Sequence, residues 1–354
     1  MNFSQILLFS LFFLIFPSKI KSNDKSVWVT AWSMNSPEKI DKMLNELSVY
    51  KFNKVFIQTR YRADALYIPN KKDSTYPNPE CLCYLIKDSV FDPLEYTILK
   101  AKNYNIKVFA WVTTFVATPH DLNKISPKHI YNVHPEWFLQ TYNGKIMSHE
   151  NYEGAFLDPA LPEVREYLLN IFSDIVKNYD LDGIQLDYIR YPDSIYGWNS
   201  ESRMLKQTQA NFDFAKYKQD RVSSFMNYVY INLKNIKPEI EISAAVIAKL
   251  DKAKNLYSQD WEKWLHDYYL DKVYVMAYNT SNKSFASLMK NIRLIKVADK
   301  KIVVVLRTWQ GDKPYHYSKI NEKLSIARIN NFREFGYYNY TGLTENGYIS
   351  NINY

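Results

Sequence analysis

A stretch of the sequence that turns from apolar to polar, DLDGIQLDYIRYPD (180–193), carries the residue types best suited to chemistry. It begins like a buried strand and then presents Asp187, Tyr188 and Arg190 in close succession. A carboxyl group can donate or accept a proton, and a neighbouring guanidinium can lower its pKa or bind an acidic group. The alternative is a purely structural pairing of Asp187 with Arg60 or Arg190, and both roles can coexist at one site.

The cysteines and histidines of the sequence do not form a metal motif. Cys81 and Cys83 are the only cysteines, and two ligands so close together do not make a zinc site. We interpret them as a loop feature, with a strained redox pair as the alternative. Four of the six histidines fall between residues 120 and 149, at spacings that match no metal motif. Because no nucleotide or flavin motif is visible either, we expect no metal and no cofactor.

Eight short β-rich runs alternate with helical patterns along the 354 residues of the chain. Each run is β-branched or aromatic, as expected of parallel strands buried on both faces. This alternation predicts an α/β protein built as one (β/α)8 (TIM) barrel. A doubly wound open sheet is the alternative, but no glycine-rich phosphate loop follows the first run. The runs are VWVTAW (27–32), KVFIQTR (54–60), KVFAWVT (107–113), GIQLDYI (183–189), EISAAVI (241–247), KVYVMAY (272–278), IVVVLRT (302–308) and GYYNYT (336–341).

The carboxyl ends of barrel strands converge on one mouth, where binding sites are built. Asp187 lies near the end of the fourth run, so its carboxyl group should face this mouth. The longest non-helical stretches, 61–91 and 114–160, follow the second and third runs and begin at the same face. We therefore expect them to wall an elongated cleft with Asp187 near its floor.

The N-terminus is predicted to be a secretory signal peptide. Residues 6–16, ILLFSLFFLIF, are apolar but too few to span a bilayer, and PSKIKSNDK follows them. We expect residues 1–22 to be removed and residues 23–354 to form one barrel domain that is secreted or periplasmic. An uncleaved N-terminal membrane anchor is the alternative. No later segment is apolar enough to cross a bilayer, so the mature chain should have no stable membrane span.

The charge balance favours acidic partners and does not indicate nucleic acid. The formal charge is +8, and loss of residues 1–22 removes Lys19 and Lys21 and no acid, which leaves +6. A modest positive charge suits acidic polymers such as cell-wall glycans. Nucleic-acid binding would require a basic stripe, which the sequence lacks.

Four segments together resemble the bacterial glycosyl-hydrolase-like family 10. They are VFIQTRYRADALY, FDPLEYTILKAKNYNIKVFAWV, HPEWF and FLDPALPEVREYLLNIFSDIVKNYDLDGIQLDYIRYP. The resemblance is close over about residues 27–192 and continues beyond them by pattern. It implies a secreted or lipid-anchored (β/α)8 protein that cleaves glycosidic bonds of a polysaccharide, and in some members the glycan of the bacterial cell wall.

The resemblance also assigns positions in this sequence. It implies that Asp187 is the acidic residue of the fourth strand, Asp158 the acid of an L-D-P segment, Arg60 the basic residue ending the second strand, and Arg190 the arginine before Tyr-Pro. Many family members carry a second acid directly after the fourth-strand Asp. Tyr188 stands at that position here, so an adjacent pair of acids is absent.

Glycoside hydrolysis normally uses two carboxyl groups that flank the scissile bond. Asp187 is the first candidate, and the sequence leaves the second open. Asp158 precedes a predicted helix, where a cap or loop brace is the alternative role; Asp251 follows the fifth run and Glu345 follows the eighth.

Aromatic residues near strand ends are candidate platforms for sugar rings. They are Trp32, Trp111, Tyr188, Tyr278 and Trp309, although Trp111 lies inside its run and can equally be a core residue. We therefore expect a polysaccharide or oligosaccharide substrate. A non-catalytic glycan-binding protein on the same scaffold is the alternative, because a fold does not guarantee chemistry.

Overall fold

The computed structural model describes residues 24–278, 281–295, 301–311 and 315–353. Within these ranges eight parallel strands form a closed barrel, because β1 pairs with both β2 and β8. This confirms the predicted (β/α)8 fold. A short pair, Asp64–Ala65, adds an antiparallel extension to the end of β2. The barrel strands are β1 Lys25–Val29, β2 Lys54–Tyr61, β3 Lys107–Thr113, β4 Gly183–Asp187, β5 Glu241–Ile247, β6 Lys272–Met276, β7 Ile302–Arg307 and β8 Phe335–Tyr338.

Helices surround the barrel, and local sequence explains where several of them begin. Proline opens α1, α2 and α4, where its missing N–H leaves no intrahelical bond unmade. Ser36 and Asp92 cap the first two through their side chains. The helices are α1 Pro37–Val49, α2 Pro93–Ala101, α3 Ile130–Val133, α4 Pro162–Asn178, α5 Ser200–Thr208, α6 Phe214–Ile236, α7 Leu250–Asn255, α8 Trp261–His266, α9 Asn282–Arg293, α10 Tyr317–Ile329 and α11 Tyr340–Glu345.

The barrel interior is filled mainly by aromatic side chains. Trp28 stacks on Phe56 with ring centroids 4.6 Å apart, and Phe109, Trp111 and Tyr274 belong to the same buried cluster. Alternate residues of the strands face outward and pack against the helices, as the two-residue period of a strand requires. Many of the aromatic residues of the sequence therefore serve packing.

Four of the predicted runs extend two or three residues beyond the observed strand ends, and two of these differences have clear local reasons. The fourth run stops at Asp187 because Tyr188 adopts a left-handed backbone with φ of 53°. The eighth run stops at Tyr338 because Asn339 caps α11 by accepting a hydrogen bond from the Gly342 N–H. The polar residues that follow these strands therefore lie in a turn and in a short helix.

The N-terminal predictions concern residues that the structure does not describe. The proposed signal peptide, 1–22, lies outside the described ranges. Among the helices that are described, none combines the length and apolarity needed to cross a bilayer.

Candidate active site

A pocket of about 270 Å³ opens at the carboxyl ends of the barrel strands. Asp187, Ile247, Met276 and Tyr338 line it, and each is the last residue of its strand. The predicted convergence of strand ends on one mouth is therefore observed. The full lining is Trp28, Glu153, Asp187, Tyr188, Arg190, Ala245, Ile247, Tyr274, Met276, Tyr278, Val305, Trp309 and Tyr338.

The Asp187 carboxyl group is fixed through both of its oxygens. Trp111 Nε1 donates to Oδ2 at 3.0 Å, and the Tyr188 backbone N–H donates to Oδ1 at 2.7 Å. Burial raises the pKa of Asp187, although these two hydrogen bonds and the charges of Arg190 and Arg62 act in the opposite direction. The result is an oriented carboxyl group that retains its proton to higher pH than an exposed aspartate.

The backbone of Tyr188 is held in an unfavourable conformation beside this carboxyl group. Its φ of 53° lies in the left-handed region, which bulky residues rarely adopt and which often marks functional sites. The guanidinium carbons of Arg190 and Arg62 lie 5.2 and 5.5 Å from the centre of its ring. Burial raises the pKa of Tyr188 to about 12, so its phenol is neutral at ordinary pH.

A second carboxyl group, Glu153, lines the same pocket and was missed by sequence reasoning. It lies in the long segment between β3 and α4, and Arg190 Nη2 donates to its Oε1 at 3.2 Å. The next residue, Gly154, has a φ of +122°, and a Cβ there would lie 2.1 Å from the Thr118 carbonyl oxygen. Only glycine allows this close approach, which fixes the loop that carries Glu153. In the sequence, the only indication of this site was a glutamate followed directly by a glycine within the long segment 114–160.

Three aromatic rings form one wall of the pocket. Tyr278 and Trp309 lie 4.9 Å apart at an interplanar angle of 85°, and Trp309 and Tyr338 lie 5.9 Å apart at 86°. All three are only partly buried. The structure thus brings Tyr188, Tyr278 and Trp309 together as expected and adds Tyr338, which sequence reasoning had not selected.

Arg60 does not reach the pocket, which corrects the expectation that it contacts substrate. Its side chain has no exposed surface; Nε donates to Glu80 Oε1 at 2.7 Å, and Nη1 donates to the Thr114 carbonyl at 3.0 Å. The cause is an irregularity in β2, where the register with β3 shifts between Gln58 and Arg60. Arg60 is thereby paired with Val112, a residue of the outer core, and turned away from the barrel interior.

The other candidate acids are also placed away from Asp187. Asp158 is buried and accepts hydrogen bonds from the Ala160 N–H at 2.9 Å and from Asn199 Nδ2 at 3.0 Å, so it braces its loop. Asp251 is exposed on α7, and Glu345 is exposed at the end of α11. None of the three lines the pocket formed by the described residues.

Two tryptophans differ from their expected role as platforms. Trp32 is 48% exposed and meets Tyr61 edge-on at 5.4 Å, away from the pocket lining. Trp111 is buried, and its contribution is the hydrogen bond to Asp187. Of the two long segments, only 114–160 supplies a lining residue among those described, namely Glu153.

The cysteines and histidines considered in the sequence do not contribute to the pocket lining. Cys81 and Cys83 are free thiols. His129 is buried with Nε2 2.8 Å from the Arg62 carbonyl, and His134 stacks on Trp137 at 4.0 Å. No group of three or more His, Cys, Asp or Glu side chains in the described ranges is arranged to hold a metal ion.

A closed barrel with two carboxyl groups and an aromatic wall at its mouth has the general layout of a carbohydrate-active site. The chain belongs to the Glycosyl hydrolase-like 10 family, whose model matches residues 20–326. This confirms the resemblance seen in the sequence.

Named relatives agree with this assignment, and a solved structure has a similar fold. The chain is 27% identical to glycosyl hydrolase YngK of Bacillus subtilis over 56% of its own length and 38% of that protein. It is 26% identical to glycosyl hydrolase DigH of Escherichia coli, over 58% of the chain and 46% of DigH. It therefore spans less than half the length of these relatives. Its fold is similar to the glycoside hydrolase domain of PgaB (BpsB) from Bordetella bronchiseptica, with 14% identity, a TM-score of 0.68, and coverage of 91% of this chain and 96% of that domain.

Proposed function

We propose that this protein is a glycoside hydrolase that cleaves glycosidic bonds of a polysaccharide in the pocket at the barrel mouth. The observation that carries the proposal is that Asp187 and Glu153 line one pocket with a wall of aromatic rings. Two carboxyl groups are the minimum that this chemistry normally needs. Membership of a glycosyl hydrolase-like family supports the same conclusion.

In the proposed mechanism Asp187 is the general acid. Burial raises its pKa, so it can retain a proton at the pH where the reaction runs and deliver it to the leaving glycosidic oxygen. Trp111 and the Tyr188 backbone set the direction in which this carboxyl group points. Departure of the leaving group leaves positive charge on the sugar ring.

Glu153 is the proposed second carboxyl group. It forms an ion pair with Arg190, whose Nη2 lies 3.2 Å from Glu153 Oε1. As a carboxylate it would activate a water molecule in an inverting reaction or attack the anomeric carbon in a retaining one. The stereochemistry of the product distinguishes the two.

The proposed substrate is a glycan polymer outside the cytoplasm, and peptidoglycan strands are the first polymer to test. The predicted signal peptide would deliver the mature chain to that location, and its formal charge of +6 suits an acidic glycan. Partly exposed aromatic rings such as Tyr278 and Trp309 offer faces for the apolar side of a sugar ring.

The test is to incubate the purified protein with peptidoglycan and a panel of polysaccharides and to measure released reducing ends. Release by the wild type, with loss in Asp187→Asn and Glu153→Gln, supports the proposal. Glu345→Gln is the matched control, since Glu345 is an exposed acid away from the pocket. A wild type that binds oligosaccharides and releases no reducing ends would contradict hydrolysis and favour a glycan-binding protein.

A further inference from the structure

A second, larger cavity lies beside the proposed catalytic pocket. This groove has a volume of about 820 Å³ and runs between α7 and one face of α9, from Lys283 to Ile292. Ile247 lines the catalytic pocket, and its neighbour Ala248 lines the groove. Consecutive Cα atoms are about 3.8 Å apart, so the two cavities are close neighbours at the end of β5.

The groove is positively charged. Lys249, Lys252 and Lys283 line it and are exposed, and Asp251 is its one acidic lining residue among those described. None of the three lysines forms an ion pair within the part of the chain that the structure describes, whereas the nearby Lys254 pairs with an acid on the next helix. Lys252 Nζ lies 5.5 Å from the centre of the Tyr257 ring, a cation–π contact that does not neutralise its charge, so the three positive charges remain available to an anionic ligand.

The other lining residues indicate which part of a ligand the groove would contact. Ser287 and Asn291 add hydrogen-bonding groups, and the described lining contains no aromatic ring. Sugar faces are recognised by aromatic rings, whereas lysine ammonium groups attract compact anions. The composition of the groove thus fits charged substituents of a sugar chain better than the faces of its rings.

We propose that this lysine groove binds acidic groups of the glycan whose bond is cleaved in the neighbouring pocket. The inference rests on the proposed function and narrows its substrate class to glycans that carry carboxylates beyond the scissile bond. The chain would lie across the end of β5, with its reacting sugar among the aromatic rings and its acidic groups against the lysines. The catalytic pocket alone is compact, and the groove supplies the length that a polymer needs.

The expected energy of each contact is modest because the lysines are exposed. An exposed ion pair contributes enough to change affinity by about threefold, and three lysines together by roughly tenfold or more. The effect must also weaken with salt, since the Debye length shortens from about 10 Å at 0.1 M to about 3 Å at 1 M ionic strength.

The experiment is a calorimetric titration of the full chain carrying Asp187→Asn, which prevents turnover. The ligands are a hexamer of galacturonic acid and its carboxyl-reduced counterpart, which has the same backbone without charge. The groove variant carries Lys249→Gln, Lys252→Gln and Lys283→Gln. The matched control carries Lys87→Gln, Lys206→Gln and Lys290→Gln, three exposed lysines outside both cavities.

We expect the acidic hexamer to bind about tenfold tighter than the reduced one at low salt. The groove variant should lose this preference, and the control should keep it. Equal affinities for the two hexamers, no binding of either, or an unchanged preference in the groove variant would each overturn the proposal. If the triple variant does not fold, Lys283→Gln alone should weaken binding of the acidic hexamer about threefold, and no loss would overturn the proposal in the same way.

The readout separates this inference from the proposed function. If the wild type releases reducing ends from none of the glycans, the proposed hydrolysis is wrong. A lysine-dependent preference for the acidic hexamer would still support the groove in that case. Hydrolysis that depends on Asp187, with no lysine dependence for acidic ligands, would preserve the catalytic proposal and defeat the groove.

Discussion

The indole Nε1 of Trp111 donates a hydrogen bond to Oδ2 of Asp187 across 3.0 Å. Trp111 is also a buried member of the aromatic cluster inside the barrel, so one side chain belongs to both the core and the candidate site. The position of the carboxyl group is thus coupled to the packing of the barrel interior. A substitution of Trp111 should therefore change the pKa of Asp187 and with it the pH dependence of the reaction.

Asp187→Asn should abolish hydrolysis without unfolding the protein. Asparagine keeps the shape but cannot act as a proton donor, and loss of a general acid typically lowers the rate by about 10² to 10⁴-fold. Because burial already opposes the charged form of Asp187, removing its charge should cost little stability. The measurement is kcat together with the midpoint of urea unfolding. Wild-type turnover in the variant would exclude Asp187 from the reaction.

Trp111→Phe should shift the pH profile of the reaction. The indole hydrogen bond lowers the pKa of Asp187, so its loss should raise that pKa further. If Asp187 must be protonated to act, the alkaline limb of kcat/KM should move to higher pH. Phe109→Leu, which alters the same interior cluster without touching Asp187, is the control for altered packing. A shift of the acid limb instead would assign Asp187 the role of base.

Glu153→Gln should reduce turnover and should also leave Arg190 without its acidic partner. The substitution removes the acidic partner of Arg190, which lies 3.2 Å away. That guanidinium would then act more strongly on Asp187, whose pKa it already lowers. If Glu153 is a nucleophile or base, added azide should restore part of the activity, because a small anion can replace the missing carboxylate. Reduced turnover without azide rescue, together with weaker substrate binding, would indicate a positioning role instead.

The sequence alone was sufficient to predict the barrel fold and the position of Asp187 at the carboxyl end of a strand. Eight buried β-rich runs with helices between them leave few arrangements, and a carboxylate directly after an apolar strand must lie at its carboxyl end. Tyr188, Arg190, Tyr278 and Trp309 follow from the same reasoning, and all four line the pocket.

The second carboxyl group of the pocket, that of Glu153, could not be predicted from the positions of strand ends. Glu153 comes from a long loop whose path depends on Gly154 packing against Thr118, a tertiary contact with no periodic signature. The expectation that Arg60 contacts substrate was wrong for a different reason, which lies in a strand and not in a loop. Arg60 lies next to the end of β2, close to where the sequence predicted it, but a register shift in that strand turns its side chain outward, and strand period alone does not reveal such a shift.

Arg60→Met should destabilise the protein and leave the site intact. The Arg60–Glu80 ion pair has almost no exposed surface, and Tyr167 also donates to Glu80 at 2.6 Å. Removing one partner of a buried pair leaves an uncompensated charge and typically costs about 3 to 5 kcal/mol. Urea unfolding should show this loss, and Arg60→Met with Glu80→Leu should recover much of it. A direct substrate contact would instead appear as weaker ligand binding by a folded Arg60→Met protein.

Asp64→Asn should change how stability depends on pH. Asp64 is 3% exposed, and burial together with the charge of Glu80 raises its pKa to about 8, although Arg60 opposes this. An unfolded aspartate has a pKa of about 3.9, so between pH 4 and 8 the folded state holds a proton that the unfolded state has lost. The free energy of unfolding must therefore fall as pH rises through this window, by about 1.4 kcal/mol per pH unit at most.

Asparagine resembles the protonated acid and does not titrate, so the variant should match the wild type near pH 4. It should become more stable than the wild type by a few kcal/mol as pH approaches 8. The measurement is the difference in unfolding free energy between variant and wild type at several pH values, which cancels the contributions of other groups. Glu239→Gln, at an exposed acid, is the matched control for the loss of one carboxyl group. A constant difference for Asp64→Asn would mean that Asp64 is already ionised in the folded protein at low pH.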